Sequence, residues 1–351
     1  MTFFSVKNIS IRGVSAAVPS KIEANIDYEY LSEKEKKLLI KTTGVEQKRR
    51  APEGMTTSDL CFEAAQKLLS DLKWNPSEIE ALIFVSQSSD YYLPATAIIL
   101  QDRLNFPKSC MAFDIGLGCS GYIYGLSVLS SIMNTAGLSK ALLMAGDVST
   151  ATCSREDKST YPLFGDAGTV TALELNKKAK PITFSLYSDG SGHKAIMIPH
   201  GGLRNKASKN SFEKKEVSKG IVRADFNLAL NGLDVFNFSI KEVPAALKDF
   251  MEKTKQKNED FNYFVMHQAN KLMNETIRKK VKFETEQVPY SISKYGNTSS
   301  ASIPLTIVSE LQNQVKNKEI SILMTGFGVG LSWAVASLSL DKITCPEIIE
   351  L

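Results

Sequence analysis

The chain has 351 residues, 43% hydrophobic and 23% charged, with a formal net charge of +4; this is the composition of a soluble globular protein too long for a single hydrophobic core. So small a charge argues against a dedicated nucleic-acid binder, while leaving room for a local basic patch facing an acidic partner. The five cysteines (61, 110, 119, 153, 345) form no metal-ligand spacing, MTFFSVKNISIRGV lacks a signal-peptide core, and no apolar run reaches about 18 residues. A reduced, cytoplasmic protein with no metal and no membrane span is expected.

In chain order, short β-rich runs alternate with helical patterns. VKNISIRGVSAAVP reads as an opening strand, and TTSDLCFEAAQKLLSDL as an amphipathic helix with Thr57 or Ser58 as N-cap and apolar positions at 60, 64, 65, 68 and 69. The apolar run 81–85 in EIEALIFVSQSS is a buried strand, YLPATAIILQDRL a second helix and CMAFDIG a strand. SGYIYGLSVLSSIMN is a helix apolar nearly all round, and KALLMAGDVST another buried strand. This alternation predicts an α/β layered fold with a largely buried sheet.

Past a linker at 176–181, NKKAKP, the order of features repeats. FNYFVMHQAN mirrors EALIFVSQSS, KYGNTSSASIPLTIVSEL mirrors GLGCSGYIYGLSVLSSI, and GFGVGLSWAVASLSL mirrors LFGDAGTVTALEL. The repetition predicts two packed halves, 1–177 and 178–351, with a site between them. Segment 203–219, LRNKASKNSFEKKEVSK, carries six basic and two acidic residues. It is read either as a solvated surface excursion or as a docking surface for an acidic partner.

DIGLGCSGYIYG sets Cys119 among glycines 116, 118, 121 and 125 at the mouth of the apolar helix. By itself this is either a small buried hydrophobe or a reactive thiol, because glycines allow close approach and a helix start favours thiolate. Of the three histidines, His267 directly follows an apolar strand, and Asn297 lies in the loop that the repeat sets opposite the Cys119 loop. Two halves related by a pseudo-two-fold axis would bring Cys119, His267 and Asn297 to one point. GDAG and SDGSG lack the spacing of phosphate-binding loops, His193 and His200 flank a turn without visible metal partners, and no cofactor is expected.

The set DIGLGCSGYIYGL, FGDAG, SDGSG, HQAN, YGNTSSASIP and GFGVGLSW resembles β-ketoacyl-acyl-carrier-protein synthase III of the thiolase superfamily, in colinear order over essentially the whole chain. The resemblance implies a duplicated, thiolase-like αβαβα layered fold, a homodimer, and a role in fatty-acid or related lipid synthesis. It implies decarboxylating Claisen condensation: Cys119 takes an acyl group from a thioester primer, and the enolate from malonyl-acyl-carrier protein then attacks the acyl-Cys119 carbonyl. His267 and Asn297 would supply hydrogen bonds to that enolate, and the backbone N–H groups of Cys119 and Val329 would form the oxyanion hole. Similar enzymes use two histidines, a second cysteine, or a glutamate near the end of the second strand. Here those addresses hold Asn297, no cysteine between 153 and 345, and FVSQSSDYY with only Asp90 nearby.

The chain also departs from the family. Leu38, Thr42 and Lys158 stand where a tryptophan and two arginines commonly hold the adenine end of coenzyme A, so the primer carrier stays open between coenzyme A and acyl-carrier protein. Leu93 replaces a phenylalanine that closes the partner's acyl tunnel, and Val329 replaces a glycine, a strained choice if that backbone needs positive φ. Lys279 and Lys280 match basic positions that bind the acidic carrier protein. The rival readings are an acyltransferase that passes the acyl group to an amine or alcohol, and a non-catalytic partner subunit.

Overall fold

Two mixed β-sheets organise the computed structural model, which describes residues 2–351. In chain order the strands are β1 (Thr2–Val6), β2 (Ile9–Val18), β3 (Ala81–Val85), β4 (Met111–Ile115), β5 (Lys140–Asp147) and β6 (Ala167–Leu175). They continue with β7 (Ile182–Ser188), β8 (Tyr263–Met266), β9 (Glu319–Gly328), β10 (Ser332–Asp341) and β11 (Ile349–Glu350). The first sheet runs β11-β2-β6-β5-β3-β4, the second β1-β7-β10-β9-β8. In the first, β3 pairs parallel with both β4 and β5; in the second, β8 pairs parallel with β9, Met266 opposite Thr325.

The expected opening strand is β2, and a further strand, β1, precedes it in the other sheet. Asn8 adopts a left-handed conformation (φ 63°) between them, so β1 joins β7 and β2 joins β6. At the other end of the chain β11 returns to pair with β2. Each terminus therefore lends a strand to the sheet built mainly from the other half.

The helices that matter for the site are α1 (Glu33–Thr43), α2 (Thr57–Leu72), α3 (Thr96–Arg103), α4 (Gly121–Ala136), α5 (Gly232–Thr254), α6 (Lys271–Val281) and α7 (Ser302–Glu310). Helices α2 and α3 cover the outer face of the first sheet, α4 and α7 fill the space between the sheets, and α5 and α6 cover the second. This is the expected αβαβα order. It explains why β3, ALIFV, is apolar at every position and buried at every position: both its faces are covered.

Helix α4 is the central element, with Tyr122, Ile123, Leu126, Leu129 and Met133 all buried. Each such side chain contributes about 1.5–3 kcal/mol. Its glycines serve packing: a Cβ at Gly121 or Gly125 would come within 2.6 Å of Val85, so the helix can lie on β3 only without side chains there. The cap of helix α2 is neither Thr57 nor Ser58 but the preceding Thr56, in a reciprocal pair with Asp59. Thr57 and Ser58 are unavailable as caps because their hydroxyls bond Ser88 (2.7 Å) and Asp90 (2.7 Å) in the loop after β3. The basic 203–219 segment forms a turn at Lys209–Phe212 and one arm of an exposed antiparallel ribbon, Lys215–Ser218 against Ile221–Arg223.

Candidate active site

The ends of β3, β5, β8 and β9 and the turns before α4 and α7 surround one cavity of about 410 Å³. Cys119, His267 and Asn297 all line it, together with Val329, Ser299 and Asp147. The three residues named from sequence thus meet, although 148 and 30 positions separate them along the chain.

Cys119 precedes α4 and is 7% exposed. The backbone N–H of Val329, its own N–H and the Ser299 hydroxyl all approach its sulfur. The close approach of the β9 end is possible because residue 328 is glycine; a Cβ there would lie 2.7 Å from Sγ. Val329 itself is unstrained: positive φ falls on its neighbours Gly328 (155°) and Gly330 (136°). The valine is compatible with the turn because the glycines on either side take the unusual conformation.

One expectation is reversed. A thiol at a helix start was expected to be acidified, yet burial pushes Cys119 up to about 11, against the three hydrogen bonds that favour thiolate. The cost of burying the thiolate charge exceeds what those donors return.

His267 follows β8 and is 1% exposed, its backbone N–H donating to Thr325 (2.8 Å) and its carbonyl accepting from Asn274 (3.0 Å). Its ring stands edge-on to Phe327 (centroids 5.6 Å apart, 89°). Burial holds the imidazole down to about 3, so it is neutral and carries one ring proton. Nδ1 lies 2.7 Å from the Ser302 hydroxyl, which is also 2.9 Å from the Ser299 carbonyl. That hydroxyl has a single proton to give to one or the other.

Asn297 is held through its backbone, its N–H donating to Leu163 (2.8 Å) and its carbonyl accepting from Gly165 (3.0 Å). Its Oδ1 accepts from the Ser299 N–H (2.9 Å), which leaves the amide NH2 for the cavity. Ser299, with φ 50°, therefore touches Cys119, Asn297 and the His267 environment at once. Neither Ser299 nor Asp147 was singled out from sequence. Their signal was there, in GNTSS and in the strand end AGDV, but a serine in a loop and an aspartate at a strand end are too common to select.

The other sequence-named residues lie outside the cavity. Leu93 is 82% exposed, beside Tyr91 and Tyr92, and does not line the cavity of its own chain. In the last turn of α6, Lys279 is exposed, while Lys280 donates to the Ile240 carbonyl (2.7 Å). Leu38 is 59% exposed on α1, the Thr42 hydroxyl is turned back onto the Leu38 carbonyl (2.8 Å), and Lys158 pairs with Glu35 (3.6 Å). His193 and His200 bond Gly190 (3.0 Å) and Ser211 (2.9 Å), and no cluster able to hold a metal occurs among the described residues.

Residues 113–190 match the family described as 3-oxoacyl-acyl-carrier-protein (ACP) synthase III, and residues 251–340 match its C-terminal family. A β-ketoacyl-acyl-carrier-protein synthase III of Caldanaerobacter subterraneus is 30% identical over 95% of this chain and 98% of its own. One from Staphylococcus epidermidis is 31% identical over 95% of this chain and 100% of its own. The crystal structure of a 3-oxoacyl-(acyl-carrier protein) synthase from Burkholderia xenovorans superposes with a TM-score of 0.94 at 36% identity, covering 100% of this chain and 99% of that one.

Proposed function

The chain belongs to the β-ketoacyl-acyl-carrier-protein synthase III family, and from that premise we propose that it condenses an acyl primer with malonyl-acyl-carrier protein through an acyl-Cys119 intermediate. The observation that carries this assignment of residues is the meeting of Cys119, His267 and Asn297 in one cavity. In the first half-reaction the Cys119 sulfur attacks the primer thioester. The developing oxyanion is met by the N–H groups of Cys119 and Val329, both already directed at the sulfur.

In the second half-reaction the malonyl carboxylate leaves as CO2 and the thioester oxygen becomes an enolate. A neutral His267 in the Nε2–H form and the Asn297 amide donate to that oxygen. Ser302 selects this tautomer by giving its proton to Nδ1 rather than to the Ser299 carbonyl. The enolate carbon then attacks the acyl-Cys119 carbonyl, which expels the thiolate and yields the β-ketoacyl thioester. The acyltransferase alternative is not favoured by the family.

The two halves 1–177 and 178–351 are proposed as the duplicated units, with the strands at the termini exchanged. A homodimer is supported by the edge position of β4 and by exposed Tyr91, Tyr92 and Leu93, and Leu93 would close the partner's acyl tunnel. Lys279, with Lys280 beside it, would meet the acidic carrier protein. Five cysteines, all unpaired, support residence in the reducing cytoplasm; no helix among the described residues is long and apolar enough to cross a membrane.

Intact-protein mass spectrometry tests the reading. The protein is incubated with acyl-coenzyme A or acyl-carrier protein, and malonyl-carrier protein is then added, with Cys119→Ala as control. An adduct that is absent in Cys119→Ala and is chased into a β-ketoacyl product is expected. An adduct indifferent to malonyl thioester would refute condensation, and no adduct from a broad donor panel would refute the nucleophile.

A further inference from the structure

Burial leaves the Cys119 thiol in need of a proton acceptor, and His267 is poorly suited. It is neutral, its Nδ1 faces Ser302, and burial opposes its protonation. The residue that does connect the thiol to an acid is Ser299. Its hydroxyl lies in the same cavity as the Cys119 thiol and the Asp147 carboxylate and favours the charged form of each. The residue is held in place by its own backbone: the Ser299 N–H donates to Asn297 Oδ1 (2.9 Å).

Asp147 ends β5, lines the same cavity, and is 2% exposed. Neutral donors hold it: Gln87 N–H (2.7 Å) and Ser86 Oγ (3.1 Å) on one oxygen, Ser300 N–H (3.1 Å) and Ser300 Oγ (2.8 Å) on the other. The titratable groups that face it are Cys119 from the turn before α4 and Cys61 from α2. Burial raises the proton affinity of this carboxyl, as it does that of the thiol. A buried carboxyl without a cationic partner, linked by one hydroxyl to a buried nucleophile, is an acceptor matched to its donor.

We propose that Ser299 and Asp147 form the proton route that ionises Cys119. The S–H bond breaks as its proton passes to Ser299 Oγ, and the Ser299 hydroxyl proton passes to an Asp147 oxygen. The electron pair stays on sulfur. One negative charge moves from Asp147 to Sγ, and the buried pocket gains no net charge, which removes the desolvation cost that holds the thiol protonated. As the thiolate attacks and the donor's C–S bond breaks, the same hydroxyl returns the proton to the departing thiolate. Asp147 is then ionised again and Cys119 acylated. Ser299 acts on the reacting sulfur; Asp147 acts through it.

The inference rests on Cys119 as the acylated residue, and its test uses no thioester. The rate of Cys119 alkylation by iodoacetamide is measured against pH on the intact protein by mass spectrometry, with Cys119→Ala marking alkylation elsewhere. The wild type is expected to show a flat region across neutral pH, because thiolate with carboxylic acid holds the same number of protons as thiol with carboxylate. Asp147→Asn removes the acceptor, and its rate should instead climb about tenfold per pH unit toward the thiol's own ionisation. Ser299→Ala leaves Asp147 bonded to Gln87 and Ser300 and should lose the flat region too, so it decides the question if Asp147→Asn does not fold. A wild type that climbs through neutral pH, or a folded variant that keeps the flat region, would overturn the route. Either result leaves the condensation assay readable by itself.

Discussion

Removing one oxygen from Ser302 separates the two half-reactions. Ser302 is 1% exposed at the start of α7, its hydroxyl 2.7 Å from His267 Nδ1 and 2.9 Å from the Ser299 carbonyl. Ser302→Ala leaves the imidazole with the Ser299 carbonyl, a partner that can only accept, so the single ring proton is expected to shift to Nδ1 and away from Nε2. The smallest effect is the loss of one hydrogen bond, about 0.5–1.5 kcal/mol or roughly 2- to 12-fold. The largest is the loss of an oxyanion donor by complete tautomer inversion, about 2.7–4 kcal/mol or roughly 100- to 1,000-fold. Decarboxylation of malonyl-carrier protein by pre-acylated enzyme is expected to fall between these limits, about 10- to 100-fold. Acylation of Cys119, followed by intact mass in the same preparation, should change by less than about threefold, since Ser302 makes no bond to the thiol. Decarboxylation left intact, or both half-reactions falling together, would refute the tautomer argument.

Because burial holds His267 down to about 3 against an ordinary 6.5, the unfolded chain binds a proton through this window that the native state does not. This group's contribution to stability is complete above about 6.5 and is lost progressively toward about 3, so denaturant midpoints should fall with pH there, less steeply in His267→Asn. Gly328→Ala would place a Cβ 2.7 Å from Cys119 Sγ at a φ of 155°; displacement of the Val329 N–H should slow acylation by about 100-fold or more, measured by mass spectrometry at a single turnover. Lys279 is exposed at the end of α6, so Lys279→Glu should raise KM for malonyl-carrier protein, most at low salt, and leave a small pantetheine thioester unaffected. Equal losses with both substrates would remove Lys279 from the docking surface.

Much of the fold was legible because the elements are long and their patterns are local. Residues 81–85 are apolar without interruption because both faces of β3 are covered, and 121–136 are apolar nearly all round because α4 lies between two sheets. Continuous runs of this kind report burial directly. Boundaries that depend on partners were not legible. Thr57 and Ser58 are good capping residues by type, but the loop after β3 takes their hydroxyls, and Thr56 caps α2 instead. The placing of β1, before Asn8, in the other sheet from β2 follows from which sheet edge each strand meets.

The amino-acid order by itself determined the layered architecture and three residues rare or distinctive enough to name: a cysteine among glycines, one of three histidines, and an asparagine in a later loop. Residue type and spacing suffice there because they are properties of single segments. Tertiary structure decided what those residues can do. It set the thiol's acidity, since burial opposes a helix start and only the folded pocket says which is larger. It also brought forward Ser299, Ser302 and Asp147, ordinary polar residues whose importance lies in lying beside a sulfur or an imidazole. Proximity between segments far apart in the chain, and the low polarity of the space they enclose, exist only once the two sheets have closed on α4 and α7.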